Sequence, residues 1–226
     1  DVLTSRGLGD VYKRQTFLLP LSLFPSTKCI RRVGLQEKTR CLRSKSLTPT
    51  PGKQWRNSST PDSSRVGACN LTSSSLRDVL SYARIKPAVH QIELHPYLTQ
   101  NAMVRYCQEE DIAITAFSPF GADSYLPLDM AGENERVLTN PVLLTIAENH
   151  ERTPAQVALR WAMHRGTIPI PKTQSSQHLR ENLDLFEFTL SEEQLAAITA
   201  LDQHRRFNDP AVFGENAFNT FYPIFD

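Results

Sequence analysis

The residues best suited to chemistry follow short apolar segments of the chain. Lys172 and Thr173 come directly after the run IPIP, and a helical pattern begins two residues later. A cation, a hydroxyl and a helix N-terminus together favour a phosphate group. Asn70 follows VGAC, Gln91 lies in VHQIELHPYL, and each carboxamide side chain offers both a donor and an acceptor. These residue types are suited to binding a phosphate and to donating and accepting hydrogen bonds.

The elements that must position these residues begin at Arg65. Strands and helices alternate from there, which predicts a parallel sheet with right-handed crossovers, an α/β fold equal to half of a closed barrel. Thr153-Pro154 marks one helix start, and the capping box Ser191-x-x-Gln194 marks another. The predicted strands are Val66–Cys69, Val89–Leu94, Ile112–Phe117 and Thr167–Ile170; the predicted helices are Thr72–Ala83, Gln100–Glu110, Pro141–His150, Thr153–His164, Ser175–Leu185 and Ser191–Leu201.

Composition excludes several classes of protein. The formal net charge of +1 gives no electrostatic footprint for nucleic acid. The four cysteines lie far apart without a Cys-x-x-Cys pair, which argues against zinc sites and disulfide scaffolds and favours a reducing, cytoplasmic location. No apolar run approaches the length of about 20 residues that spans a membrane. We therefore expect no metal, no nucleic acid and no membrane among the partners.

Three segments together resemble the second half of the aldo-keto reductases: VHQIELHPYL (89–98), ITAFSPFG (114–121) and IPIPKT (168–173). That family is a (β/α)8 TIM barrel that uses NADPH to reduce aldehydes and ketones. The resemblance begins at Arg65, and it implies that residues 65–226 form the C-terminal half of such a barrel. The chain's 226 residues are short for a complete barrel of about 250.

Residues 1–64 mix basic, Ser, Thr and Pro residues without any period. One interpretation is a disordered extension. The other is a reading-frame error, because a one-base shift within TPGKQWRNSSTPDSS (50–64) can encode T-W-x-A-M-E-E-L-V-D-S-G-L-V. Members of the family usually carry a helix of that kind just before the strand at Val66. We therefore suspect that residues 1–64 are irregular and not native.

The resemblance assigns three residues to the nicotinamide carboxamide. Asn70 and Gln91 match the family's amide contacts, and Cys69 stands where Ser is usual. A thiol is a weaker hydrogen-bonding group than a hydroxyl, so the Cys69 contact is weakened. The alternative is structural: Asn70 would merely start the helix, and Gln91 would satisfy a buried amide.

The strand ending in ITAF supplies the next group of contacts. Resemblance implies that Phe117 stacks on the nicotinamide face, which fixes the face that transfers hydride. Ser118 is then expected to contact the pyrophosphate, and Phe120 completes this part of the cofactor site. A phenylalanine that ends an apolar strand can equally be a plain core residue.

The last segment resembles the family's site for adenosine 2′-phosphate and adenine. Lys172, Thr173, Glu181 and Asn182 match, but His178 stands where Arg is usual. Arginine would bind phosphate permanently through two bonds, whereas histidine gives one pH-dependent contact. NADPH is the expected cofactor, and NADH is possible. The alternative for Lys172 is a solvated lysine at the rim.

No residue of this chain is assigned a catalytic role. The family's acid is a Tyr in the first barrel half, tuned by Lys and Asp with a His nearby. Tyr12 and Lys13 are adjacent, so those roles are not carried onto them. His95 serves the turn after the strand, and His90 is interpreted as structural. The chain as written is expected to be inactive, although its parent family is enzymatic.

The tail gives a hint about substrate. RFNDP (206–210) resembles xylose reductases, while KPAVHQIELHPYL (86–98) and PAVFG (210–214) resemble aldose-6-phosphate reductases. Asn208 could then bond a hydroxyl of an open-chain sugar, although an ordinary C-terminal wrap is the alternative. The expected partner is a small carbonyl compound or sugar, bound by a monomer or weak dimer. Two other hypotheses stay open: a non-catalytic cofactor-binding regulatory subunit, and a truncated product without function.

Overall fold

The computed structural model describes residues 67–209 together with 211, 215, 219, 223 and 225. The predictions made for residues 1–64 lie outside them. The described residues contain four strands, β1 Gly67–Cys69, β2 Val89–Glu93, β3 Ala113–Phe117 and β4 Thr167–Pro169. The α-helices are α1 Ser73–Tyr82, α2 Asn101–Glu109, α3 Pro141–Asn149, α4 Pro154–His164, α5 Ser176–Leu183 and α6 Glu192–Thr199.

The ten predicted elements are all present, with ends that differ by no more than two residues. The chain divides into two compact units, one formed by Asp1–His90 with Asp209–Asp226 and one by Gln91–Asn208.

In the first unit, β1 is followed by α1 and the start of β2. Thr72 caps α1, as the sequence predicts, because its hydroxyl accepts the Ser75 backbone N–H at 3.2 Å. Leu76 is the fully buried residue of α1. The Leu71 backbone N–H donates to Nε2 of His90 at 3.2 Å, which joins the turn after β1 to β2.

In the second unit, β3 lies between β2 and β4. The β3–β4 pair is parallel, with Ile114 opposite Thr167 and Ala116 opposite Pro169. The Leu94 N–H donates to the Phe117 carbonyl at 3.2 Å, so β2 and β3 end at the same level. Strands that neighbour each other in chain order, with helices between them, give the α/β half barrel that the sequence predicts.

Helices α3, α4 and α6 form the apolar core of the second unit. Trp161 is fully buried, and its indole N–H donates to the Thr199 hydroxyl at 3.0 Å. Thr153 and Ser191 each begin a helix with a capping box, closed by Gln156 and Gln194 respectively. Both predicted helix starts are therefore confirmed, and Pro154 occupies the first turn of α4, where its missing N–H costs nothing.

The segment between β3 and α3 contains none of the strands and helices predicted from the sequence, yet it has regular structure. It forms four short 3-10 helices, Ala122–Ser124, Leu126–Leu128, Glu133–Glu135 and Val137–Thr139. An antiparallel bridge between Gly121 and Arg136 closes the segment at its base. The Arg136 guanidinium then bonds the Asp123 carboxylate at 2.8 Å and the Glu133 carboxylate at 2.9 Å. The pair with Asp123 spans 13 positions of the sequence and is not revealed by any local period, whereas Glu133 lies only three residues before Arg136.

Two further features concern the described residues as a whole. None of the helices in this part of the chain combines the length and apolarity needed to cross a bilayer. Among the same residues, no cluster of three or more His, Cys, Asp or Glu side chains is arranged to hold a metal ion.

Candidate functional site

Cys69 and Asn70 end β1 in the first unit. Both residues are buried, and Asn70 has a left-handed backbone with φ of 52°. The Asn70 side-chain nitrogen is buried and has no hydrogen-bond partner. An unpaired buried donor costs about 1–3 kcal/mol, so a ligand oxygen that accepted this N–H would be favoured. The orphaned amide fits the carboxamide contact that the sequence predicts.

Gln91 and Phe117 belong to the second unit. Gln91 is a half-buried residue in the middle of β2, and Phe117 is the last residue of β3. The Phe117 side chain is fully buried, so a nicotinamide ring could stack on it only if other chain atoms moved away. The stacking role of Phe117 therefore remains a prediction, whereas in this structure Phe117 is a buried core residue.

Ser118 follows β3 in a left-handed conformation with φ of 49°, and its carbonyl accepts the Gly121 N–H at 2.8 Å. The Ser118 hydroxyl lies 3.0 Å from the hydroxyl of Tyr125. A hydroxyl has one O–H group, so Ser118 can donate to a phosphate oxygen when Tyr125 is the donor in this bond. Phe120 is half-buried beside this turn.

Lys172 and Thr173 lie in the short connection between β4 and α5, where Lys172 is exposed. The Thr173 hydroxyl accepts the Ser175 N–H at 3.1 Å, and the Ser175 hydroxyl caps α5 by accepting the His178 N–H at 3.3 Å. These local bonds fix the start of α5 next to an exposed cation, which is an arrangement suited to an anion.

The rest of the predicted adenosine site lies on α5 itself. His178 is exposed, while Glu181 and Asn182 are half-buried. Glu181 accepts a bond from Gln177 at 2.8 Å. These three residues lie on consecutive turns of one short helix, α5, which begins four residues after Lys172.

Glu93 is a feature that the sequence analysis missed. It ends β2 with no exposed surface, and its carboxylate accepts the Phe207 N–H at 2.9 Å and the Asn208 N–H at 3.1 Å. His95 Nε2 lies 3.1 Å from the same carboxylate. The sequence did contain a signal for this site: Glu93 is a charged residue between Ile92 and Leu94 in a predicted strand, and a buried carboxylate needs hydrogen-bond partners.

The two histidines that the sequence analysis set aside are both buried. His95 has no exposed surface, and the backbone bridge between His95 and Leu98 forms the expected turn. Burial lowers the pKa of His90 to about 4, which keeps this imidazole neutral at ordinary pH. Burial also raises the pKa of Cys107 to about 11, so this thiol is unreactive. Structural roles fit both histidines.

Comparison with known proteins adds to this geometry. The sequence profile of the Aldo/keto reductase family matches residues 64–203. A probable NAD(P)H-dependent D-xylose reductase of Aspergillus niger is 46% identical over 151 residues, which cover 66% of this chain and 47% of that protein. A protein with the same description from Arthroderma otae is 42% identical over 162 residues, covering 71% of this chain and 48% of that protein.

A solved structure agrees with these relatives. The crystal structure of an aldo-keto reductase complexed with NADPH superposes with a TM-score of 0.61 at 31% identity, covering 72% of this chain and 48% of that one. The chain spans about half the length of the curated relatives it matches. The matched residues are those whose strands, helices and strand-end polar groups are described above. The chain belongs to the aldo/keto reductase family.

Proposed function

We propose that this chain carries the cofactor-binding part of an NAD(P)H-dependent reductase that converts aldehydes or open-chain sugars to alcohols. The observation that carries the proposal is the side-chain nitrogen of Asn70, directly after β1, which is buried and has no hydrogen-bond partner among the described residues. A nicotinamide carboxamide supplies the acceptor that this donor lacks. The relatives described as NAD(P)H-dependent D-xylose reductases support the same cofactor and substrate class.

The roles of the other residues follow the family resemblance. The resemblance assigns Gln91 to the carboxamide and gives Cys69 a weaker contact. Phe117 and Phe120 border the nicotinamide, and Ser118 bonds the pyrophosphate. The remaining cofactor contacts are made to the adenosine 2′-phosphate and adenine by Lys172, Thr173, His178, Glu181 and Asn182.

When bound, the cofactor supplies a hydride to the carbonyl carbon of the substrate. The residues described here bind and orient that cofactor, and none of them is proposed as the proton donor. General acid catalysis contributes roughly 10²–10⁴-fold to such reactions. We therefore expect the 226-residue chain to bind cofactor without measurable aldehyde reduction. Protein-dependent turnover of an aldose by the purified chain with NADPH would overturn this part of the proposal.

The cofactor assignment is tested by titrating the chain with NADPH and with NADH and recording nicotinamide fluorescence. The Lys172→Met variant should weaken NADPH about tenfold or more, because a charge-assisted bond to phosphate contributes roughly 1.5–3 kcal/mol. NADH, which lacks the 2′-phosphate, should change little. Arg105→Met is the matched control, since Arg105 is a cation on α2 with a side chain 81% exposed. The proposal fails if NADPH does not saturate the chain, or if the two variants behave alike.

A further inference from the structure

The carboxylate of Glu93 is surrounded by hydrogen-bond donors. Oε1 accepts the Phe207 backbone N–H at 2.9 Å and faces His95 Nε2 at 3.1 Å, while Oε2 accepts the Asn208 backbone N–H at 3.1 Å. Nη1 of Arg206 lies 3.9 Å from Oε2. A buried carboxylate is strongly unfavourable unless such donors replace water. The segment Arg206–Asn208 is therefore held by one side chain at the end of β2.

Arg205, the residue before this segment, also anchors it. Its guanidinium bonds Glu135 at 2.6 Å and the Met130 carbonyl at 3.3 Å, and it lies 4.5 Å above the Phe207 ring. The bond from Arg205, followed by the bond from the Gly132 N–H, lowers the pKa of Glu135. The segment is thus tied both to β2 and to the long connection between β3 and α3.

Aromatic packing completes the anchorage. The Phe207 ring stacks on Tyr125 with centroids 5.7 Å apart and lies 5.4 Å from His95. Tyr125 in turn lies 3.0 Å from the Ser118 hydroxyl. These contacts fix the Phe207 ring, whereas the two bonds to Glu93 fix the peptide N–H groups on either side of the Phe207 Cα.

We infer that Glu93 is a positioning residue for substrate recognition: its two oxygens fix the backbone at Phe207 and Asn208, and so set where the Asn208 side chain is presented. This inference rests on the proposed function, in which Asn208 bonds a hydroxyl of the sugar substrate. Glu93 acts through the backbone and does not itself touch substrate, because its side chain has no exposed surface.

The chemistry of the pocket requires a carboxylate at this position. Two backbone N–H groups and one imidazole nitrogen converge on two oxygens, and both oxygens accept. In Glu93→Gln one oxygen becomes an NH₂ group, which cannot accept a bond. Whichever way the amide turns, a donor then faces the N–H of Phe207 or of Asn208. The variant keeps the shape of the side chain and still breaks at least one of the two bonds.

The backbone part of the inference is tested by amide hydrogen exchange in the full chain. The Phe207 and Asn208 amides should be protected in the wild type, and Glu93→Gln should accelerate their exchange tenfold or more. The amide of Ile170, which bonds the Ala116 carbonyl at 3.0 Å, is the internal control and should not change. Unprotected Phe207 and Asn208 amides in the wild type would overturn the inference without any variant. Equal acceleration at Ile170 would also overturn it, because Glu93 would then support general stability.

The substrate part is tested on the same sample with D-xylose as the probe in the presence of NADP⁺. The side-chain amide resonance of Asn208 should shift saturably in the wild type, and Glu93→Gln should abolish the shift. If the Asn208 side-chain resonance of the wild type does not shift with D-xylose, the inference is wrong. NADPH titration of that sample separates the two proposals. If NADPH binds and Lys172→Met weakens its binding, the proposed function stands even when the positioning role of Glu93 is wrong.

Discussion

His90 should make the stability of the chain depend on pH. Its imidazole has no exposed surface, and its Nε2 accepts the Leu71 backbone N–H at 3.2 Å. Burial lowers the pKa of His90 from its ordinary 6.5 to about 4. Protonating Nε2 would also replace an acceptor by a second donor facing Leu71. The folded chain therefore excludes a proton that the unfolded chain binds readily.

The magnitude follows from the difference between the two pKa values of His90, 6.5 and about 4. One pKa unit corresponds to about 1.4 kcal/mol, so the depression is equivalent to roughly 3 kcal/mol of unfolding free energy. Because the unfolded state binds more protons in this interval, stability rises with pH. The contribution of His90 to stability is fully present above about pH 6.5, decreases as the pH falls from about 6.5 to about 4, and is absent below about pH 4.

Urea unfolding of the wild type and His90→Asn, repeated at several pH values, measures this contribution. Asparagine cannot titrate, so the free energy of unfolding of the variant, relative to wild type, should improve by roughly 3 kcal/mol between about pH 7 and pH 4. His204→Asn is the control, because the His204 side chain is 90% exposed. Parallel pH curves for the wild type and His90→Asn would refute the reasoning, as would a His90 resonance that titrates near its ordinary pKa.

Further predictions concern the backbone, a helix cap, the cofactor and the gene. Gly121→Ala should destabilise by about 1–3 kcal/mol in urea, because φ is +58° and the new methyl would lie 2.9 Å from Val137; an unchanged midpoint would contradict this. Thr153→Ala should lower the free energy of unfolding by about 1 kcal/mol in the same assay, because the helix cap is lost; an unchanged free energy would show that the capping box does not stabilise the chain. His178→Arg should tighten NADPH about tenfold and leave NADH unchanged in calorimetric titrations; equal effects would place His178 away from the 2′-phosphate. Sequencing the native transcript should reveal a frame change within codons 50–65, and an intact frame would disprove it.

The regular elements could be predicted from the sequence because their signals are local. Periodic apolar residues mark each strand and helix, and side chains such as Thr153 and Ser191 bond backbone groups only three residues away. The parallel pairing of β3 with β4 also follows, since a helical crossover between consecutive strands permits little else.

The placement of the residues proposed to bind cofactor was only partly predictable. Lys172 and Thr173 could be assigned to the connection between β4 and α5, because their position depends on neighbouring elements alone. The orphaned amide of Asn70 and the complete burial of Phe117 depend on residues far away in the sequence, and no local pattern encodes them.

Tertiary structure alone decided the partners of the buried and half-buried charges. Glu93 meets the backbone of Asn208 across 115 positions of the sequence, and Arg205 meets Glu135 across 70. The acceptor is recognisable in the sequence, but its donors are backbone N–H groups that every residue except proline possesses. Only folding selects which of these groups replaces water around the carboxylate. The sequence by itself thus determined the elements and the family, whereas the anchorage of Asn208 is a property of the folded chain.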